Sequence, residues 1–234
     1  MSFHGKMKAV TFSYDDGVTQ DRRLIEMLDR YQLKCTFNLN SELLGQDGEL
    51  LREGQIVSHK KIAPEDVATV YRNHEVAAHT LTHPFLPKLD ENEIIRQVSE
   101  DQKNLEKLTG RPVVGMAYPG GGENYDHRVS EIIRKHTSIR YARTIVSSHS
   151  FDLQDHLWEF QPTVYHHGEW EKLFELGEKF LALNPDQPQI FYIWGHSYEF
   201  DIHNTWDRFE QFCSMISGRD DIFYGTNAQV LLNR

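Results

Sequence analysis

Short runs rich in β-branched and aromatic residues alternate along this chain with longer amphipathic stretches, and that alternation limits the fold more than any other feature. The runs Lys8–Tyr14, Lys34–Leu39, Glu75–His79, Val113–Tyr118, Ile139–Ile145, Gln189–Trp194 and Ile222–Tyr224 have the length and composition expected of strands. Helical periodicity is expected over 21–31, 64–72, 90–108, 127–136, 169–183 and 204–217. The clearest case sets Ile94, Ile95, Val98, Leu105 and Leu108 mostly on one face and stops at Gly110, with Pro112 behind it. Strands separated by helices predict an α/β fold, a parallel sheet flanked by helices that is either open or closed into a barrel. No internal repeat, low-complexity tract or long linker divides the chain, so residues 1–234 are expected to form a single domain. The stretch from Ser41 to Lys61 is the least regular and reads as a loop or small hairpin insertion.

At 234 residues the chain is long enough to bury one sizeable core. Thirty-five acidic against 25 basic residues give a formal charge of -10, which repels a phosphate backbone or an anionic bilayer and argues against nucleic acid or membrane as a partner. No segment reaches transmembrane length. Cys35 and Cys213, one in a strand pattern and one in a helical pattern, suggest neither a disulfide framework nor a cysteine metal site. The first residues carry no apolar stretch of signal-peptide length, so a cytoplasmic location is the simplest expectation.

The polar residues suited to chemistry follow strands. Asp15 and Asp16 come after the first, His79 and His83 after the third, "AYPGGGEN" after the fourth and His196 after the sixth. Those are carboxyl ends, where parallel α/β sheets and barrels build their sites. Taken alone, an Asp-Asp pair is commonly a turn or helix cap. Together, two histidines four apart and one carboxylate make a three-ligand set for a divalent cation, with a fourth position left for water. Pro84 disfavours helical geometry at His83, so the turn carrying the histidines must be short. The remaining carboxylate can then take a proton from the water, whose acidity the cation raises. Gly120 to Gly122 lack the lysine and the strand-loop-helix spacing of a phosphate loop.

On these residues the chain resembles the polysaccharide deacetylases with a NodB homology domain, carbohydrate esterase family 4. Thr11, Phe12, Asp15, Asp16 and Gly17 match its T-F-D-D-G motif with Ser13 and Tyr14 inserted; His79, Thr80 and His83 match H-[ST]-x-x-H; Ile193, Gly195 and His196 approximate its late hydrophobic-x-H motif. The resemblance spans roughly residues 7 to 230. It implies a distorted (β/α) barrel of about seven parallel strands and one divalent metal, usually zinc, with cobalt, manganese or nickel as alternatives. It also implies hydrolysis of acetyl groups from N-acetylated or O-acetylated carbohydrate. In that scheme Asp15 is the base, Asp16, His79 and His83 hold the metal, and His196 is the acid. A carbon-nitrogen hydrolase acting on a non-sugar amide or ureide and a non-catalytic carbohydrate-binding relative are the competing functions; retention of both Asp15 and His196 favours an enzyme.

The chain also departs from the family. Where an Arg-x-Pro-Tyr sequence usually orients the base and offers an N–H to the oxyanion, it has Ala117, Tyr118, Pro119 and Gly120. Gly120 can still present a backbone donor. Arg143, at the end of the fifth strand, is the candidate to replace the missing arginine, and Glu199 or Asp201 the candidate to hold His196. Trp194 and Tyr198 could stack on a sugar ring. His166 and His167, adjacent in a loop, are expected to be exposed, and His59 lies among scattered histidines for which no role is expected.

Overall fold

The computed structural model describes residues 2–232. Its strands are β1 (Lys8–Asp15), β2 (Cys35–Leu39), β3 (Glu49–Arg52), β4 (Gln55–Ser58), β5 (Glu75–Ala78), β6 (Gly115–Ala117), β7 (Tyr141–Arg143), β8 (Val164–Tyr165), β9 (Gln189–His196) and β10 (Ile222–Tyr224). The helices are α1 (Asp21–Arg30), α2 (Val67–Val70), α3 (Glu91–Thr109), α4 (His127–His136), α5 (Trp170–Ala182), α6 (Glu199–Ile202), α7 (Trp206–Ile216) and α8 (Asn227–Leu232).

The main sheet runs β7-β6-β5-β2-β1-β9-β8, with every pairing parallel. On the side of β1 away from β9, β10 pairs with Lys8–Val10 and β2 with Phe12–Asp15. Every residue of β1 is buried, as a central parallel strand covered on both faces requires. The sheet curls toward closure through residues 160–165: Phe160 makes an isolated parallel bridge to Arg143, and β8 pairs with β9. This is the distorted (β/α) barrel that the resemblance implies, in one α/β domain.

The amphipathic stretches become the surrounding helices because their apolar faces pack on this sheet. α3 begins at Asp90, whose side chain accepts the Glu93 N–H, and ends at Gly110 in the left-handed region; Ile94, Val98 and Leu105 enter the core. All seven expected strands are present, Ile222–Tyr224 with the expected limits and the others with different ones. The run expected over 139–145 pairs only through β7, because beyond Arg143 the Thr144 N–H turns to the Phe160 carbonyl. The helix expected over 64–72 is a 3₁₀ turn, Pro64–Asp66, followed by α2. β8 is two residues long, too short to announce itself by alternation.

The irregular 41–61 stretch contains the antiparallel hairpin β3–β4, turned through Glu53 and Gly54, both at positive φ, as a two-residue hairpin loop of the tight primed type demands. Its return leg brings His59 and Lys61 back beside β1, where Val18 bridges Lys61. Both cysteines are free and buried. Among the described residues no helix is long and apolar enough to cross a membrane.

Candidate active site and metal centre

Register delivers the site. In the β1–β9 ladder Asp15 lies opposite His196, and in the β1–β2 ladder it lies opposite Asn38. Asp16, the first residue past the strand, takes φ 82, and Gly17 follows at φ 61, where a Cβ would meet Leu39 Cδ2 at 2.7 Å. After β5, Thr80 (φ 68) and His83 (φ 59) are also left-handed. Left-handed conformations at non-glycine residues cost of order 1–3 kcal/mol each and persist where the surroundings over-determine them. The supports are present. Lys61 Nζ donates to the Asp16 carbonyl at 2.7 Å, buried Asn40 donates to the carbonyls of His79 and Thr80, and Gln97 accepts from Thr82 N.

This backbone gathers Asp16, His79 and His83, which place one donor atom each within 4.8 Å of one another. Nε2 of His79 and of His83 lie 3.8 and 3.7 Å from Asp16 Oδ1. That is too long for hydrogen bonds and close to the ~3.4 Å between two ligands of a tetrahedral ion with bonds of about 2.1 Å. The protonation states suit a cation. Burial pushes His79 down to about 4 and lowers His83, leaving both neutral. His79 Nδ1 donates to the Ala117 carbonyl at 2.9 Å, which directs the Nε2 lone pair inward. For Asp16, burial opposes ionisation, but the hydrogen bond from His59 Nε2 (3.0 Å) and the charge of Lys61 hold its carboxyl well below the usual range.

Arg143 and Asp15 meet across the barrel. Both are buried; Arg143 Nη2 donates to Asp15 Oδ2, while Asn38 Nδ2 donates to Oδ1 at 2.8 Å. The guanidinium also lies 4.3 Å from the centre of the Trp194 ring, which fixes it from one face. His196 Nδ1 is 3.0 Å from Glu199 Oε1, and its backbone N–H donates to Oε2 at 2.9 Å. Burial alone would strip the His196 proton, yet the facing Glu199 carboxylate overrides that cost and holds the imidazolium up to about 9. Burial disfavours the Glu199 charge as well, and the His196 cation outweighs it, drawing the carboxyl down to about 2. Tyr165 donates its hydroxyl to the same carboxylate.

Other candidates land differently. Asp201 accepts from Trp206 Nε1 and Gln20 Nε2, so Glu199 alone faces His196. Tyr118 donates its hydroxyl to the Trp158 carbonyl and its N–H to the Arg143 carbonyl, so its polar atoms are spent on structure although it lines the cleft beside Gly120. Trp194 stacks on Tyr165 with centroids 4.5 Å apart. His166 is wholly buried and the His167 side chain only 13% exposed, contrary to the expectation of exposed histidines; both are covered where β8 enters the barrel. His59 was not expected to matter, and it contacts Asp16. Asn38 and Asn40 also went unnoticed, although they end or follow β2 and the strand-end rule could have found them. The cleft holds about 710 Å³, with Tyr165, Trp194 and Tyr198 on one side and Leu50 and Arg52 of the hairpin among its other lining residues.

Solved structures of related fold resemble the chain over most of its length. The solved structure of a CE4 family pseudoenzyme from Bacillus anthracis superposes with a TM-score of 0.58 at 18% identity, over 97% of this chain and 65% of that one, so this chain spans just under two thirds of that protein. A deacetylase solved with substrate gives 0.60 at 15% identity, over 100% and 94% of the two chains. The peptidoglycan deacetylase PdaC from Bacillus subtilis, in mutant form, gives 0.56 at 16%, over 98% and 92%. At these identities the likeness concerns the fold. No curated protein sequence matches the chain. The family model for polysaccharide deacetylase matches residues 4–142, more than half of the sequence, and the chain therefore belongs to the polysaccharide deacetylase family.

Proposed function

We propose that the protein is a metal-dependent deacetylase that removes acetyl groups from N-acetylated or O-acetylated carbohydrate. The observation that carries this is the juxtaposition of an Arg143-paired Asp15, the Asp16–His79–His83 donor set and a cationic His196 in one cleft. A divalent ion, zinc first and cobalt, manganese or nickel as substitutes, would there acidify a water and polarise the acetyl carbonyl.

The protein's own groups do the rest. Asp15, aimed by Arg143 and Asn38, keeps free lone pairs and accepts the proton of the attacking water. The N–H of Gly120 is the candidate donor to the oxyanion. His196, with Nδ1 committed to Glu199, gives its Nε2 proton to the departing sugar nitrogen or oxygen. Trp194 and Tyr198 line the cleft and would border the sugar with their exposed edges.

The test is acetate release by protein loaded with one equivalent of zinc, from an N-acetylglucosamine oligomer and an O-acetylated xylose oligomer, with a cyclic ureide as control substrate. Release from either sugar supports the proposal. Turnover of the ureide alone would move the function to a carbon-nitrogen hydrolase, and turnover of none would make the chain a non-catalytic relative.

A further inference from the structure

On the acid side of the cleft β8 runs into a second group of donors. One ring nitrogen each of His166 and His167 and a Glu199 oxygen lie within 4.8 Å of one another. His166 Nε2, on a side chain wholly removed from solvent, has no hydrogen-bond partner, and neither has the buried His167 Nδ1. Native structures pair nearly all such buried atoms, so two orphaned nitrogens on neighbouring histidines beside Glu199 call for an explanation.

Tautomers supply it. His167 Nε2 lies 2.6 Å from Glu53 Oε1; a carboxylate only accepts, so Nε2 carries a proton and Nδ1 is the nitrogen left to offer a lone pair. That carboxylate-to-histidine relay is the arrangement that orients metal-ligating imidazoles. His166 Nδ1 lies 3.3 Å from the Tyr14 hydroxyl, and donation there leaves a lone pair on Nε2, 3.7 Å from Glu199 Oε2. A proton on Nε2 would instead point at that oxygen from beyond hydrogen-bond range. The His166 ring is fixed in place, stacked on Phe200 at 4.4 Å and seated against Gly195, where any Cβ would collide with the imidazole. Glu199 accepts from His196 N, His196 Nδ1 and Tyr165, which leaves one lone-pair site of its four.

We infer that His166, His167 and Glu199 form a second site for a divalent transition-metal cation, separate from the Asp16–His79–His83 set. Two imidazoles and a carboxylate suit zinc, cobalt, nickel or copper rather than magnesium or calcium. Since Glu199 also faces His196, an ion here competes for the carboxylate that supports the acid. On the deacetylase function proposed above, metal beyond the first equivalent therefore inhibits; that consequence rests on the proposed function, whereas the binding does not.

Equilibrium dialysis of the purified full chain against zinc, with bound metal counted by mass spectrometry, tests the site without any substrate. The wild-type protein is expected to hold two ions, His79→Ala one and His167→Gln one. His166→Asn, scored on protein shown to be folded by near-UV circular dichroism, is expected to hold one. A His79→Ala variant that holds no ion, or a His167→Gln variant that still holds two, would overturn the inference, whereas one ion on both the wild type and His79→Ala would count against the Asp16–His79–His83 set instead.

Discussion

The two walls of the cleft use histidine in opposite charge states. On the metal wall burial takes His79 down to about 4, and its Nδ1 proton goes to the neutral carbonyl of Ala117, so the ring is a lone-pair donor. On the acid wall His196 faces the full charge of Glu199 and sits at about 9, a cation with a proton to give. The partner across the ring, more than burial, decides which chemistry an imidazole performs. The walls also differ in how they are held. The metal wall depends on left-handed backbone at Asp16, Thr80 and His83, pinned by Lys61 and Asn40, whereas the acid wall depends on the charge pairs Arg143–Asp15 and His196–Glu199.

The contrast breaks most widely at His196. Loss of a general acid costs ~10²–10⁴ in rate where the leaving group needs protonation. His196→Ala is expected to lose that much on an N-acetyl sugar and far less on an activated aryl acetate, with metal content unchanged. Equal loss on both substrates would move His196 to oxyanion binding. Arg143→Met comes next, because it strands the buried Asp15 charge. Breaking one side of a buried ion pair costs about 3–5 kcal/mol, which urea titration should register as a lower midpoint; an unshifted midpoint would reduce the pair to surface-bridge strength.

On the metal wall, His59→Ala removes a hydrogen bond to Asp16, the carboxylate proposed to hold the metal, and should weaken metal binding ~10–100-fold. An unchanged dissociation constant would leave His59 as packing alone. The smallest effect is expected beneath both walls, at Asp21, which accepts from Ser197 and Tyr71 and which burial pushes up to about 7. Its folded value lies above the ordinary 3.8, so the folded state keeps a proton that the unfolded chain releases. Stability therefore falls as pH rises between about 4 and 7. Asp21→Asn should flatten that fall in thermal melts, and an unaltered slope would assign it to other groups.

The metal wall was the more legible in sequence because its residues sit in short local patterns. Asp16 directly follows a strand, and His79 and His83 share one turn. The strand-helix alternation likewise exposed the sheet, since each strand signals itself through its own side chains. Partners on the acid wall come from far along the chain: Arg143 is 128 residues from Asp15 and Tyr165 is 34 from Glu199. Arg143 could be singled out because it ends a strand, but choosing Glu199 over Asp201 required knowing that α6 turns Asp201 toward Trp206. His59 gave no local signal, because a hairpin of unremarkable composition returns it to Asp16. His166 looked like an exposed loop histidine because a two-residue strand leaves no periodicity to mark burial.

The most direct test of the central claim measures zinc content and acetate release on the same preparations of wild-type protein and Asp15→Asn. The proposed function predicts that both hold the ion in the Asp16–His79–His83 set, that the wild type releases acetate from an acetylated sugar, and that the variant is slower by ~10²–10⁴, since an amide cannot accept the proton of the water. Wild-type protein loaded with one equivalent of zinc that releases no acetate, or an Asp15→Asn variant that loses the ion or keeps the full rate, would contradict it.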